Sequence, residues 1–200
     1  MEHEIYAAGE GYFLCPMTDD DIENYEELQH SINGEGSEYL TTAQKNKVWD
    51  EALKGDVDRY FSIFDEHGDY CGCIELQNCR NKTPEIGLTL LESKRNQGIA
   101  AKVVKLLVQK ACSEQEIEYF EVKIKAENSH CRHVFEKLGA EKIGEDEYAL
   151  AKLRRLLNDD ELELVRKAFD IAKAEAVDTE LTKAVYRYRL KPGVFTEVIE

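Results

Sequence analysis

The sequence lacks a long apolar stretch and a basic leader, and it contains little proline. No run approaches the roughly 20 apolar residues that a membrane-spanning helix needs, and the opening MEHEIYAAGEGYFL has no basic segment followed by an apolar one. Only three prolines and twelve glycines occur in 200 residues, which excludes collagen-like and low-complexity classes. We therefore expect a folded cytoplasmic protein with no membrane partner.

Positive charge is also scarce. The chain has 26 Lys and Arg against 41 Asp and Glu, a net charge of −15. Such a chain repels polyanions, so nucleic acid and anionic lipid are not expected partners. The negative field favours cationic small molecules or basic peptide termini, although acidic proteins are often simply soluble ones.

The six cysteines lack the paired spacing of structural zinc sites. Cys71 and Cys73 are separated by one residue, and no CxxC pair occurs. Without an export signal, reduced thiols that pack as small hydrophobic groups are the better interpretation. The segment His130-Cys131-Arg132-His133 is typical of a surface helix, because no carboxylate ligand stands beside the two histidines. We predict no metal site.

The order of apolar residues predicts an α/β (α+β) protein with a single domain over residues 1–200. Alternation predicts strands and spacing of three to four predicts helices. A helical insertion is predicted at about 146–181, before the last strand, with Asp160 and Glu163 at capping-box spacing. Predicted strands cover 11–17, 60–64, 70–76, 85–90, 119–125, 141–144 and 184–190; predicted helices follow Asp19 or Asp20, Thr41 or Thr42, Gly98 and Asn128.

A polar, glycine-bearing turn, Arg95 to Ala100, connects a predicted strand to an amphipathic helix. The start of a helix exposes unpaired N–H groups and a partial positive charge, which suit a phosphate or diphosphate. Many strand–turn–helix connections carry one glycine, so the turn alone also fits an ordinary connection. The chain has neither GxxxxGK[ST] nor a GxGxxG after a strand.

Two motifs together resemble the GNAT N-acetyltransferase superfamily. Arg95-x-x-Gly98-x-Ala100 matches the family signature (Q/R)xxGx(G/A), and the segment from Asn128 through Phe135 to Ala140 is similar to the family's second motif. The resemblance covers about residues 11–146 and the last strand. It is strongest to the branch of ribosomal-protein alanine and spermidine acetyltransferases, in which the preceding strand often begins like Pro84-Glu85-Ile86-Gly87.

The resemblance implies a mixed, splayed central sheet of about seven strands flanked by helices, with acetyl-CoA in the gap between two strands. It implies that backbone N–H groups of Gln97, Gly98, Ile99 and Ala100 hold the diphosphate, with Arg95 also at the cofactor site. The backbone of Leu90 would pair with the pantetheine arm and polarise the thioester carbonyl. Asn128 would bind the same arm, and Phe135 would lie near the sulfur.

The attacking amine must lose a proton, and Glu85 is the candidate base, with Glu75 on the neighbouring strand in reserve. The alternatives are a solvated carboxylate at the strand edge, or one that only binds substrate. In many family members a tyrosine stands at the position of Phe135, and that tyrosine protonates the leaving thiolate. Phenylalanine cannot do so, which leaves Ser129, Cys131, water or unassisted departure.

We therefore expect direct acetyl transfer from acetyl-CoA to a primary amine, of a protein N-terminus, a polyamine or another cationic small molecule. The alternative, motivated by Phe135 and the acidic insertion, is a non-catalytic acyl-CoA-binding sensor or interaction module. The leucine-rich stripes of the insertion are expected to bury each other or the sheet, or else to cover the acceptor site or form a homodimer contact.

Overall fold

A computed structural model describes residues 3–33, 57–147, 158–174 and 184–195, together with Trp49 and residues 53–55. In this part of the chain an open, mixed sheet has the strand order β1-β2-β3-β4-β5-β6-β8-β7 and is flanked by helices. The strands are β1 (Ala7–Gly9), β2 (Tyr12–Pro16), β3 (Arg59–Asp65), β4 (Tyr70–Gln77), β5 (Glu85–Leu90), β6 (Phe120–Lys125), β7 (Glu141–Glu147) and β8 (Ala184–Leu190); the helices are α1 (Ile22–Asn33), α2 (Ile99–Glu114), α3 (Ser129–Lys137) and α4 (Asp159–Ala174).

The α/β fold class is confirmed, with one strand more than the sequence predicted. The additional strand is β1, which has only three residues and pairs antiparallel with β2. So short a segment has too few residues to show an alternating pattern. The chain forms two compact units, Met1–Phe120 with Lys191–Glu200, and Glu121–Leu190. The single domain over residues 1–200 stays a prediction.

In the first unit, β1 to β5 form an antiparallel series in which each strand pairs with the next. Alternation along β4 divides its side chains between two faces. One face contributes Cys73 to a core cluster with Met17, Leu28 and Trp49, against which Tyr25, Tyr60 and Leu91 pack. Helix α1 therefore covers this face, while α2 contacts β1 and β2.

The hairpin β3–β4 is confirmed where the alternating pattern predicted it. The turn Asp65-Glu66-His67-Gly68 connects the two strands, and Gly68 adopts the positive φ of 82° that such a turn needs. The helix predicted after Thr41 or Thr42 lies largely outside the described residues; Trp49 and Leu53 are helical.

In the second unit, β7 pairs antiparallel with β8, and α4 confirms a helix in the predicted insertion. The capping box is two residues earlier than predicted. Asn158 Oδ1 accepts the Glu161 N–H at 3.0 Å and Glu161 Oε2 accepts the Asn158 N–H at 2.9 Å, so Asp160 lies inside the helix. Asn158 and Asp160 are both favourable caps, and sequence spacing did not distinguish them. The predicted stripe at 150–157 lies outside the described residues.

Candidate functional site

The connection from β5 to α2 has an unusual backbone. A short 3-10 turn, Glu92–Lys94, follows the strand, and Asn96 and Gly98 then adopt positive φ angles of 61° and 77°. Gly98 is the N-cap of α2. A Cβ atom at position 98 would meet no protein atom within 4 Å. The positive φ of the backbone, and not crowding by neighbours, therefore favours glycine there.

The beginning of α2 has the features of an anion-binding helix end. Its first turn contains no acidic residue, and its N-cap has no side chain to accept an N–H. Backbone N–H groups of a first turn have no partner within their own helix and carry the positive end of the helix dipole. Ile99 and Val103 are buried, at 2% and 0% exposed, so core packing fixes the direction in which these groups point.

The long polar side chains of the loop bind protein groups. Lys94 Nζ lies 2.9 Å from Asp65 Oδ2, Arg95 Nε donates to the Leu90 carbonyl at 3.1 Å, and Gln97 Nε2 donates to the Ser93 carbonyl at 2.8 Å. These contacts tie the loop to the end of β5 and to the β3–β4 turn. No local pattern in the sequence points to the pairing of Lys94 with Asp65, because the two residues are 29 positions apart.

The end of β5 lies unusually close to β4. Gly72, with a φ of 149°, is opposite Leu90. A Cβ atom there would lie 2.2 Å from the Thr89 carbonyl oxygen and 2.8 Å from the Leu90 Cα. Such distances are impossible, so glycine at position 72 permits the observed position of the Thr89–Leu90 peptide.

The two candidate bases lie on one face of the sheet at different distances from Leu90. Glu85, half-buried at the start of β5, is opposite Gln77, and Glu75 is opposite Gly87. At about 3.3 Å per residue, Glu85 lies about 17 Å from Leu90 along the strand, and Gly87 lies about 10 Å from it. Glu75 is therefore nearer than Glu85 to the end of β5.

The surroundings of Glu75 are partly buried and aromatic. Its Oε2 accepts a hydrogen bond from Gln77 Nε2 at 2.5 Å, and it is opposite Tyr60 in the pairing of β3 with β4. Burial raises the pKa of Tyr25, and the nearby negative charge of Glu75 raises it further. A carboxylate bordered by aromatic rings has the chemistry to bind a cationic amine.

The second motif lies in the other unit. Asn128 caps α3 as predicted, and its Oδ1 accepts the Cys131 N–H at 3.0 Å. Phe135 is 2% exposed. Burial raises the pKa of the Cys131 thiol to about 11, so Cys131 keeps its proton at neutral pH.

Within the described ranges, no three His, Cys, Asp or Glu side chains are grouped as a metal would require. No helix in the same ranges is both long enough and apolar enough to cross a membrane.

Comparison with known proteins gives one family and one fold. The sequence model described as "Acetyltransferase (GNAT) domain" matches residues 12–141. A crystal structure of spermidine N-acetyltransferase from Vibrio cholerae in complex with CoA and spermine has a TM-score of 0.68 at 12% identity, covering 94% of this chain and 99% of that one. The same bacterium's enzyme in a dodecameric structure has a TM-score of 0.67 at 13% identity, covering 96% and 100%. No curated protein sequence matches at a significant level.

Proposed function

Because the chain belongs to the GNAT acetyltransferase family and is therefore an N-acetyltransferase, we propose that it transfers the acetyl group of acetyl-CoA directly to a primary amine of a polyamine-like cation. The observation that carries the proposal is the start of α2, with Gly98 at a φ of 77° and no acidic residue in the first turn. The net charge of −15 favours a cationic acceptor. A peptide N-terminus remains the second acceptor class.

The backbone N–H groups of Gln97, Gly98, Ile99 and Ala100 are proposed to hold the diphosphate. Anionic oxygens gain from both the N–H donors and the dipole of α2. The Arg95 side chain supports this site indirectly, since its Nε binds the Leu90 carbonyl. Asn128 and Phe135 are proposed to contact the pantetheine arm and the sulfur of the same substrate.

The Leu90 backbone is proposed to stabilise the reacting carbonyl. When an amine attacks a thioester, negative charge develops on the carbonyl oxygen, and a fixed N–H donor stabilises that charge. The absence of a side chain at Gly72 leaves room for the Thr89–Leu90 peptide in this position. The thiolate of CoA is a fair leaving group because a thiol pKa is near 8.5. Acetyl transfer can therefore proceed without the tyrosine that many family members have at the position of Phe135.

The proton of the attacking amine is proposed to pass to Glu85 through a chain of water molecules, because about 17 Å of strand separate Glu85 from Leu90. Glu75 is the second candidate, because it lies nearer to Leu90 along the sheet and is bordered by Tyr25 and Tyr60. In the proposed division of roles, Glu75 binds the cationic substrate and Glu85 accepts the proton relayed by water.

Thiol release from acetyl-CoA, measured with panels of polyamines, aminoglycosides and peptides and corrected for the protein's own cysteines, tests the proposal. We expect turnover with at least one polyamine, and a Gly98→Asp variant that binds acetyl-CoA more weakly because its carboxylate would repel the diphosphate. Unaltered acetyl-CoA affinity in this variant would contradict the proposed site.

A non-catalytic acyl-CoA sensor is the second candidate. Phe135, which has no proton to donate, favours it. The sensor predicts that acetyl-CoA binds and raises the melting temperature, while no amine in the panels produces thiol release.

A further inference from the structure

Lys94 lies directly before the loop that leads into α2, as the last residue of the 3-10 turn Glu92–Lys94. Its Nζ is 2.9 Å from Asp65 Oδ2 and 3.7 Å from Asp69 Oδ2. The Lys94 side chain is 22% exposed and that of Asp65 is 17% exposed. Both side chains are therefore partly shielded from water, more than those of the ion pairs on α2.

Asp65 is itself held firmly in place. Its Oδ1 accepts the backbone N–H groups of His67 and Asp69, each at 3.0 Å, while its Oδ2 binds Lys94. One carboxylate therefore closes the β3–β4 turn and binds the residue in front of the α2 loop. The ion pair joins two backbone segments that are 29 residues apart.

A lysine beside a phosphate-binding loop is ordinarily expected to bind the phosphate as a point charge. Here two carboxylates surround the ammonium group, so its charge is already compensated by protein groups. Lys94 is also directed toward the hairpin turn and not toward the first turn of α2. This geometry favours an action on the loop over an action on the diphosphate.

We propose that Asp65 and Lys94 form a positioning pair for acetyl-CoA, in which their ion pair fixes the loop 95–98 so that the N–H groups at the start of α2 meet the diphosphate already aligned. The inference rests on the proposed function of that helix end. A loop ordered before binding loses less conformational entropy when the ligand arrives, so the pair improves affinity without touching the ligand.

The competing interpretation predicts a change of opposite sign. If Lys94 bound the diphosphate directly, Asp65→Asn would release its ammonium group and remove a negative charge near the ligand, and acetyl-CoA would bind more tightly. If Lys94 is a positioning residue, Asp65→Asn loosens the loop and acetyl-CoA binds more weakly. The asparagine keeps an oxygen for the His67 and Asp69 N–H groups, so the turn is preserved.

Calorimetric titration of acetyl-CoA into the wild type, Asp65→Asn, Lys94→Met and the double variant tests the pair. We expect each single variant to weaken binding about three- to fivefold, and the second substitution to add little, because both remove one interaction. The matched control is Glu10→Gln, which removes the ion pair between Glu10 and Lys105 of α2. These two side chains are 3.2 Å apart and 44% and 41% exposed, and the Glu10→Gln variant should bind acetyl-CoA with the affinity of the wild type. Unchanged or tighter binding in Asp65→Asn would overturn the proposal.

Acetylpantetheine, which lacks the diphosphate, separates positioning from general damage. Its kcat/KM should be the same in the wild type and Asp65→Asn, whereas kcat/KM for acetyl-CoA falls in the variant; an equal loss with both substrates would also overturn the proposal. Failure of the proposed function gives a different result, because the wild type itself would then either not bind acetyl-CoA or, as the sensor, bind it and release no thiol with any amine.

Discussion

The carboxylate of Glu75 lies over the backbone of Gly87, its opposite residue in the pairing of β4 with β5. A Cβ atom at position 87 would be 3.0 Å from Glu75 Oε2 and 3.2 Å from its Cδ. The absence of a side chain at position 87 therefore makes room for the carboxylate of Glu75. A larger residue at position 87 must displace that carboxylate.

Gly87→Ala should alter amine recognition while leaving the fold intact. The new methyl group must displace the flexible Glu75 carboxylate by a few tenths of an ångström, so we expect KM for the amine to rise while KM for acetyl-CoA stays constant. The free energy of unfolding should change by less than about 1 kcal/mol. Gly193→Ala is the control, since a Cβ there would meet no atom within 4 Å. An unchanged amine KM in Gly87→Ala would remove Glu75 from the acceptor site.

Glu85→Gln should lower kcat about 10²- to 10⁴-fold if Glu85 is the general base. The deficit should shrink as the pH approaches the amine pKa near 10, because the acceptor is then already neutral. Glu75→Gln should instead raise the amine KM, as expected for a residue that binds the cation. The pH dependence of kcat and KM for both variants distinguishes these roles, and a pH-independent, undiminished kcat in Glu85→Gln would exclude Glu85 as the base.

Phe135→Tyr should restore a proton donor for the leaving thiolate. Phe135 is 2% exposed, so the added hydroxyl destabilises the free protein by about 1–3 kcal/mol unless it finds a partner. If the sulfur lies beside this ring, kcat should nevertheless rise. Phe120→Tyr is the matched control, because Phe120 is 0% exposed and should show the loss of stability without the gain in kcat. Equal behaviour of the two variants would contradict the position proposed for Phe135.

The Asp65–Lys94 pair should stabilise the fold over a wide pH range. The hydrogen bond from Lys94 holds the pKa of Asp65 below its ordinary value of 3.8, and the same bond raises the pKa of Lys94 above 10.5. A lowered carboxyl pKa stabilises the folded state above the unfolded pKa, and this contribution is lost as the pH falls through the folded value. The raised lysine pKa stabilises the folded state below about pH 10.5, and that contribution is lost as the pH rises through the folded value.

The melting temperatures of the wild type and Asp65→Asn should therefore differ by a constant amount between pH 5 and pH 9. The difference should decrease below about pH 4. A difference that already vanishes near pH 6 would show that another group controls the interaction. Melting temperatures measured at low and high salt give a second comparison, since the Asp65–Lys94 pair is less exposed than the Glu10–Lys105 pair and should be screened less by salt.

The amino-acid sequence by itself determined the elements whose causes are local. Alternation specified β3 to β6 and β8, Asn128 specified the start of α3, and Gly98 specified the start of α2, because each depends on residues within a few positions of one another. The two family motifs are local in the same sense, which is why the acetyltransferase family could be predicted before the fold was described. Even a local signal failed where two good caps, Asn158 and Asp160, competed.

Only the tertiary structure decided which distant residues support the site. Asp65 and Lys94, Gly72 and the Thr89–Leu90 peptide, and Glu75 and Gly87 come together through strand register and through the course of the loop before α2. Register shifts by a single residue move a side chain to the opposite face, and the pairing of strands that fixes it depends on the whole buried core. A pattern in one segment holds no information about its partner, so these contacts required the folded chain.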